Sequence, residues 1–545
     1  MRILKPIFYT AVIAVAFTSC KSVSSIPVPA GYDTVLNITE KKAPLTKEES
    51  NSWGHLDLAT DTIPGMSVNK AYEFLKGKKW KMVTVGVVDA GTDLKHEDLV
   101  DVAWINPKEI AGNGIDDDKN GYIDDINGWN FLGTIYKENL EAERILKNPK
   151  LVDETIYKKI KAAHDKKVAA AKGRKQRFGS MLQGVTAANN AFSKHFNKKD
   201  YTKEDVLAIK TEDAALLRTI STAKQMYGFG LSSLTQAIEQ LSDLVKTSDD
   251  LLSGKILKTD YRGVLGDNPQ DITDTKYGDN KTGHSIKKEA HGTHVSGIIG
   301  ATRGNDKGMN GVGNHVRMMA VRAVPDGDEY DKDVALGIRY AVDNGARVIN
   351  TSFGKGYSPN KQWVWDAIKY AAEHDVLIVN AAGNDGANID VVRTYPNDSK
   401  DLLTEISDNV LTVGAMSSNY NEKLPASFSN YGKINVDIFA PGVQVYSTTP
   451  ENGYAKFSGT SMAAPSTAGV AAMIRSYYPK LSASQVKHII MNSGTKIDLE
   501  VIKPGSTSRS NPKGEKVPFA DLSVSGRIVN AYNAVRMADR MVNGK

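Results

Sequence analysis

His291 and His294 stand three residues apart in KEAHGTHVSGIIG (288–300), among small residues and ahead of an apolar run. On a helix such a pair shares a face. The spacing suits two metal ligands, a catalytic base beside a bystander, or two ordinary histidines. A catalytic zinc helix needs His-Glu-x-x-His. No glutamate lies between these two, and the only cysteine is Cys20. Zinc is therefore set aside, and His294 is expected to be a packed, hydrogen-bonded helix residue.

A serine nucleophile needs a base, and the base needs an orienting acid. FSGTSMAAPSTAGVAAMIRSYYP (457–479) puts Ser461 ahead of an Ala/Gly-rich helical pattern. At a helix start, free N–H groups and the positive dipole end can stabilise an oxyanion. Pro465 is expected in the first turn, where a missing N–H costs little. A lone serine there is usually only a cap, so its partners decide. Asp89 ends the β-branched run KMVTVGVVDAG (81–91). In an open α/β sheet, sites form at that end of a strand. A buried aspartate can hold an imidazole in the tautomer that accepts a serine proton. The chain order is Asp89, His291, Ser461, one of the orders in which such a triad recurs.

VVDAGTD, HGTHVSG, AAGNDG and GTSMAAP together resemble the four signature blocks of the subtilisin-like serine peptidases, in family order. The resemblance covers about 76–135 and 265–545. It implies Asp89 as orienting acid, His291 as general base and acid, and Ser461 as nucleophile. It also implies Asn384 as side-chain donor to the oxyanion, beside the Ser461 N–H. In a subtilisin, losing that donor costs about 2.7–4 kcal/mol of transition-state stabilisation. NTSFG (350–354) matches the segment that pairs with extended substrate, through Ser352, Phe353 and Gly354. Phe353 stands where the family commonly has Leu. Ala381, Ala382 and Gly383 are implied to line the pocket for the residue before the cut.

Strand patterns at 316–324, 346–353, 375–383 and 409–416 alternate with helical patterns at 331–345 and 362–375. The expected fold is α/β, a three-layer subtilisin-like fold with a mainly parallel central sheet. The peptidase domain is expected over 53–135 and 260–545. Residues 136–259 carry few strand signals and read as an all-α insertion, with a capping-box-like start at Thr202–Asp205. It helps set Asp89 and His291 202 residues apart, which the fold tolerates if its ends stay close. It leaves and re-enters on the site-bearing side, to cover the cleft, gate access or dock a partner. Within 141–200 there are 15 Lys/Arg against 6 Asp/Glu. A solvated basic face is the simpler reading than a surface for acidic partners or lipid headgroups.

Asp116-x-Asp118-x-Asn120-Gly121-Tyr122-Ile123-Asp124 has the first part of an EF-hand-like spacing, with Tyr122 offering its carbonyl. Calcium is expected on Asp116, Asp118, Asn120, Tyr122 and Asp124. Asn127 replaces the final glutamate, with Asp125 as a substitute ligand. An acidic insert after the Asp block is also a feature of some bacterial subtilases.

Arg2, Lys5 and an apolar run at 7–17 precede Thr18-Ser19-Cys20. Residues 1–19 read as a bacterial lipoprotein signal, Cys20 as the lipid anchor and 20–52 as a tether. The chain is expected to work without a separate cleaved prodomain, and to end soon after a terminal helix. The net charge of +6 over 545 residues does not point to nucleic acid. The expected protein is a serine endopeptidase of the cell envelope, on the periplasmic or extracellular side, acting on proteins or peptides. Its rivals are a narrow processing enzyme and a non-catalytic lipoprotein presenting the insertion.

Overall fold

A computed structural model describes residues 38–544. Cys20, residues 1–19 and most of the proposed tether lie outside the described residues. From Ile38 onward the tether reading gives way. Ile38 and Leu45 pack on buried core, and α1 (Lys47–Ser52) is a helix. Its start is a Thr46/Glu49 capping box, the S/T-x-x-E pattern that satisfies two free N–H groups. Two short helices follow, α2 (Leu58–Asp61) and α3 (Val68–Leu75).

The central sheet takes β1 (Val83–Asp89), β2 (Gly128–Asn130), β3 (Val316–Arg322), β4 (Val348–Thr351), β5 (Leu377–Ala381), β6 (Val410–Met416) and β7 (Ile438–Pro441). A hairpin of β8 (Val445–Thr449) and β9 (Gly453–Phe457) stands apart. So does the pair β11 (Glu500–Ile502) and β12 (Lys516–Pro518), while β10 (Thr495–Lys496) and β13 (Arg527–Ile528) close one sheet edge. The order is β10-β13-β7-β6-β5-β4-β1-β3-β2. Every pairing in it is parallel except β10 with β13. The strands are apolar on both faces because helices cover both.

The insertion contributes α4 (Glu141–Lys147), α5 (Glu154–His195), α6 (Lys203–Leu207), α7 (Ala214–Gly228), α8 (Leu234–Leu252) and α9 (Lys255–Lys258). After it come α10 (His291–Gly300), α11 (Asp331–Asp343), α12 (Lys361–Glu373), α13 (Thr460–Tyr477), α14 (Ala483–Ser493) and α15 (Ala531–Asn543). Helices α3, α10, α13, α14 and α15 bury one face of the sheet. Helices α11 and α12 bury the other. The fold is the expected three-layer α/β arrangement.

The insertion is all-α, with a small core of its own that includes Val185, Phe192, Ile220, Met226 and Leu234. The Thr202/Asp205 capping box is present. Its first helix, α4, belongs with the peptidase body instead. Buried Arg144 donates to the carbonyls of Asp328 and Glu329. Among the described residues no helix is long and apolar enough to cross a membrane.

Candidate active site

β1 delivers Asp89 fully buried at its carboxyl end. The Oδ1 atom accepts the Ala90 N–H at 2.7 Å and lies 2.7 Å from His291 Nδ1. An Nδ1–H donated to a carboxylate leaves Nε2 free as a base. Burial pushes the imidazole pKa down, but the Asp89 carboxylate outweighs it and the net shift is upward. The His291 side chain is 38% exposed.

His291 is the first residue of α10, and Gly292 explains how the helix gets so close. A β-carbon there would sit 2.4 Å from the Ala90 carbonyl oxygen. From β8, Ser447 and Thr448 hydroxyls donate to the carbonyls of His294 and Thr293. His294 is scaffold, as expected. It is fully buried, its Nε2 donates to the Ala455 carbonyl at 3.1 Å, and its ring stacks on Phe457. Burial drives its pKa down to about 3, so it stays neutral.

Ser461 is the second residue of α13, a helix packed directly on α10. Pro465 departs from expectation. It is the sixth helical residue, past the first turn, and its missing N–H leaves the Ser461 carbonyl without a helical donor. The Ser352 hydroxyl supplies one at 3.0 Å, and Ser461 Oγ donates back to the Ser352 carbonyl at 3.1 Å. No hydrogen bond joins Ser461 to His291 among the described residues. Hydrogen bonds of this kind are often long or absent before substrate arrives.

Asn384 faces the same space. Its Oδ1 accepts the Thr460 N–H at 2.8 Å and the Thr460 hydroxyl at 3.0 Å. A β-carbon built on Gly459 would lie 3.6 Å from both Asn384 Nδ2 and the Ser461 backbone nitrogen. Both nitrogens therefore lie beside Gly459, next to Ser461.

A cavity of about 410 Å³ opens beside Ser461 and Asn384. Ala381, Ala382 and Gly383, expected at the pocket for the residue before the cut, line it together with Phe353 and Gly354, expected to pair with the substrate backbone. Ser352 does not line it. Its side chain is buried and occupied with α13. The segment 352–354 lies past the end of β4, which stops at Thr351.

Sequence reasoning missed two supports. Glu289 accepts the Gly91 N–H through Oε1 and the Ser285 N–H through Oε2. Its Oε1 also takes Arg322 Nε at 2.7 Å, with both side chains buried. This ties the turn after Asp89 to the residues before His291. The second support is Lys355, paired with Glu141 and Asp331 below the cavity. The signal for Lys355 was a charge between Gly354 and Gly356, whereas Glu289 follows Lys287 and Lys288 and carried none.

Of the expected calcium set, Asp116 and Asp118 stand together, while the other members have the following contacts. Asp124 carboxylate oxygens accept the N–H groups of Gly112, Asn113 and Gly114, so it caps that turn. Asn120 Oδ1 accepts the Tyr122 N–H, and its amide donates to Asp125. The Tyr122 ring packs on Trp129, Phe131 and Tyr340. Asp125 is held by Asn106, Asn120 and Tyr340. Instead Glu109 joins Asp116 and Asp118, with one oxygen from each within 4.8 Å of the others. Three convergent carboxylates suit a hard cation.

Fold and cavity together are those of a serine-type peptidase on a parallel sheet. The Subtilase family matches residues 81–514, and the chain belongs to that family. Subtilisin DY of Bacillus licheniformis is 39% identical over 210 residues, 38% of this chain and 71% of that protein. The cell wall-associated protease of Bacillus subtilis (strain 168) is 34% identical over 265 residues, 48% of this chain. The matched part spans only 28% of that larger protein. A solved cold-adapted subtilisin-like serine proteinase is 29% identical, matching 45% of this chain and 77% of its own, with a TM-score of 0.34.

Proposed function

We propose that the chain is a serine endopeptidase that hydrolyses peptide bonds of proteins through Asp89, His291 and Ser461. His291 Nε2 takes the Ser461 proton as Oγ attacks the scissile carbonyl. The oxyanion is held by Asn384 Nδ2 and the Ser461 N–H. The imidazolium then protonates the leaving amine, and water attacks the acyl-enzyme by the same route in reverse. The observation that carries this reading is the buried Asp89 carboxylate 2.7 Å from His291 Nδ1, with Ser461 and Asn384 lining one cavity.

The test is a peptide library given to wild type and Ser461→Ala, with fluorophosphonate labelling of the serine. Cleavage that is equal in the two proteins would refute the assignment.

Two further parts belong to the same proposal. Glu109, Asp116 and Asp118 hold a structural calcium that stiffens the loop after β1. Cys20 carries a lipid that anchors the enzyme in the cell envelope. Mass spectrometry of the membrane fraction tests the anchor. An unmodified Cys20, or an unchanged distribution of Cys20→Ala, would refute it.

A further inference from the structure

The insertion is fastened through Glu141 to Lys355, which lines the cavity at Ser461. A second cavity of about 800 Å³ lies between residues 150–159 and the loops 356–361 and 391–395. It shares Gly356, Val392, Arg393 and Tyr395 with the first, so the two adjoin. Both of its inner walls are fixed. Lys355 and Tyr395 exchange backbone hydrogen bonds of 2.8 and 2.9 Å. The Ser358 hydroxyl and the Asn360 N–H both bond to buried Asp331, which also pairs with Lys355. A binding site held in shape before binding loses less entropy on occupation.

Its chemistry is apolar with a positive rim. Val391 and Val392 are 75% and 53% exposed there, and covering them is favourable. Lys150, Lys159 and Lys361 line the space, and none has a carboxylate partner among the described residues. Asp153 is the one lining carboxylate, and its Oδ1 caps α5 by accepting the Ile156 N–H. A hollow lined by one sign of charge with apolar walls concentrates that field.

We propose that this second cavity is a substrate subsite built by the insertion, and that it takes an aspartate or glutamate side chain of the polypeptide being cut at Ser461. The occupant follows from two facts: the cavity adjoins the one at Ser461, and Lys150, Lys159, Lys361 and Arg393 outnumber Asp153, the single lining carboxylate. The proposal rests on the peptidase reading above.

The test uses the full-length protein and peptides that differ only by Glu, Gln or Lys at successive positions around the scissile bond. At one position wild type should favour Glu over Gln by about tenfold in kcat/KM at low salt, with the ratio shrinking as salt rises. The double variant Lys159→Glu/Lys361→Glu should reverse the preference toward the Lys peptide, with fluorophosphonate labelling reporting that the nucleophile is formed. If that variant does not fold, Lys159→Gln must still lower the Glu/Gln ratio. Equal cleavage of all three peptides at every position, or a Glu preference that survives the substitutions, overturns the subsite. Absence of Ser461-dependent cleavage by wild type overturns the peptidase reading, and the subsite with it.

Discussion

Glu141 Oε2 lies 2.7 Å from Lys355 Nζ, and both side chains are buried. The first helix of the insertion is thereby fastened to the residue after Gly354, on the wall of the Ser461 cavity. Burial pushes the Lys355 pKa down, but Asp331, Glu141 and Glu329 outweigh it and hold it above the ordinary lysine value. Burial raises the Glu141 pKa, and Lys355 with Arg144 more than offsets this, leaving it lowered.

Glu141→Gln should therefore destabilise the fold by about 1.5–3 kcal/mol, since Lys355 loses one of its two carboxylates and keeps Asp331. Kinetically it should raise KM more than it lowers kcat, because it disturbs the substrate wall and not the nucleophile. Thermal unfolding and steady-state kinetics check both. The pH sign follows from a lowered carboxylate. Glu141 stabilises the fold above its unfolded pKa, and that contribution is lost as pH falls through the lower folded value. The stability difference between wild type and Glu141→Gln should close in acid.

The Asp89–His291 contact predicts a pH profile. In the proposed mechanism the neutral His291 imidazole is the base, and Asp89 raises its pKa above the ordinary 6.5. The acid limb of kcat/KM should have its midpoint above that value. Asp89→Asn removes the negative charge, so the limb should move to lower pH while kcat falls by about 10⁴-fold. A limb that stays in place would mean another group controls it.

Asn384→Ala removes one of two oxyanion donors. It should lower kcat by about 10²- to 10³-fold with little change in KM. It also removes the acceptor for the Thr460 N–H, so a circular dichroism melt should accompany the kinetics.

The acidic loop separates into two roles that substitution can distinguish. Glu109→Gln should weaken the rise in Tm produced by calcium, because Glu109 stands with Asp116 and Asp118. Asp124→Ala should leave the calcium response in place. It should still cost about 1–3 kcal/mol in the presence of chelator, because three backbone N–H groups lose their acceptor. Calorimetric titration of both variants checks the difference.

Asn384 came into view only through the family resemblance, but the sequence by itself pointed to the parallel sheet, the helices at His291 and Ser461, and Asp89, His291 and Ser461 as candidates. These were legible because each depends on local requirements. A buried parallel strand must be apolar, a nucleophile needs free N–H groups at a helix start, and a tight helix approach needs glycine. Even the Thr46/Glu49 capping box was written in four adjacent residues, although it was overlooked. Tertiary structure alone decided which distant charges meet. Glu289 finds Arg322, Glu141 finds Lys355, and Glu109 replaces Asp124 beside Asp116 and Asp118. The same holds for the cavity between the foot of the insertion and the loops 356–361 and 391–395. The physical reason is that a buried charge must be paired, but nothing in its neighbours along the chain names the partner. That choice belongs to packing between segments that the sequence keeps far apart.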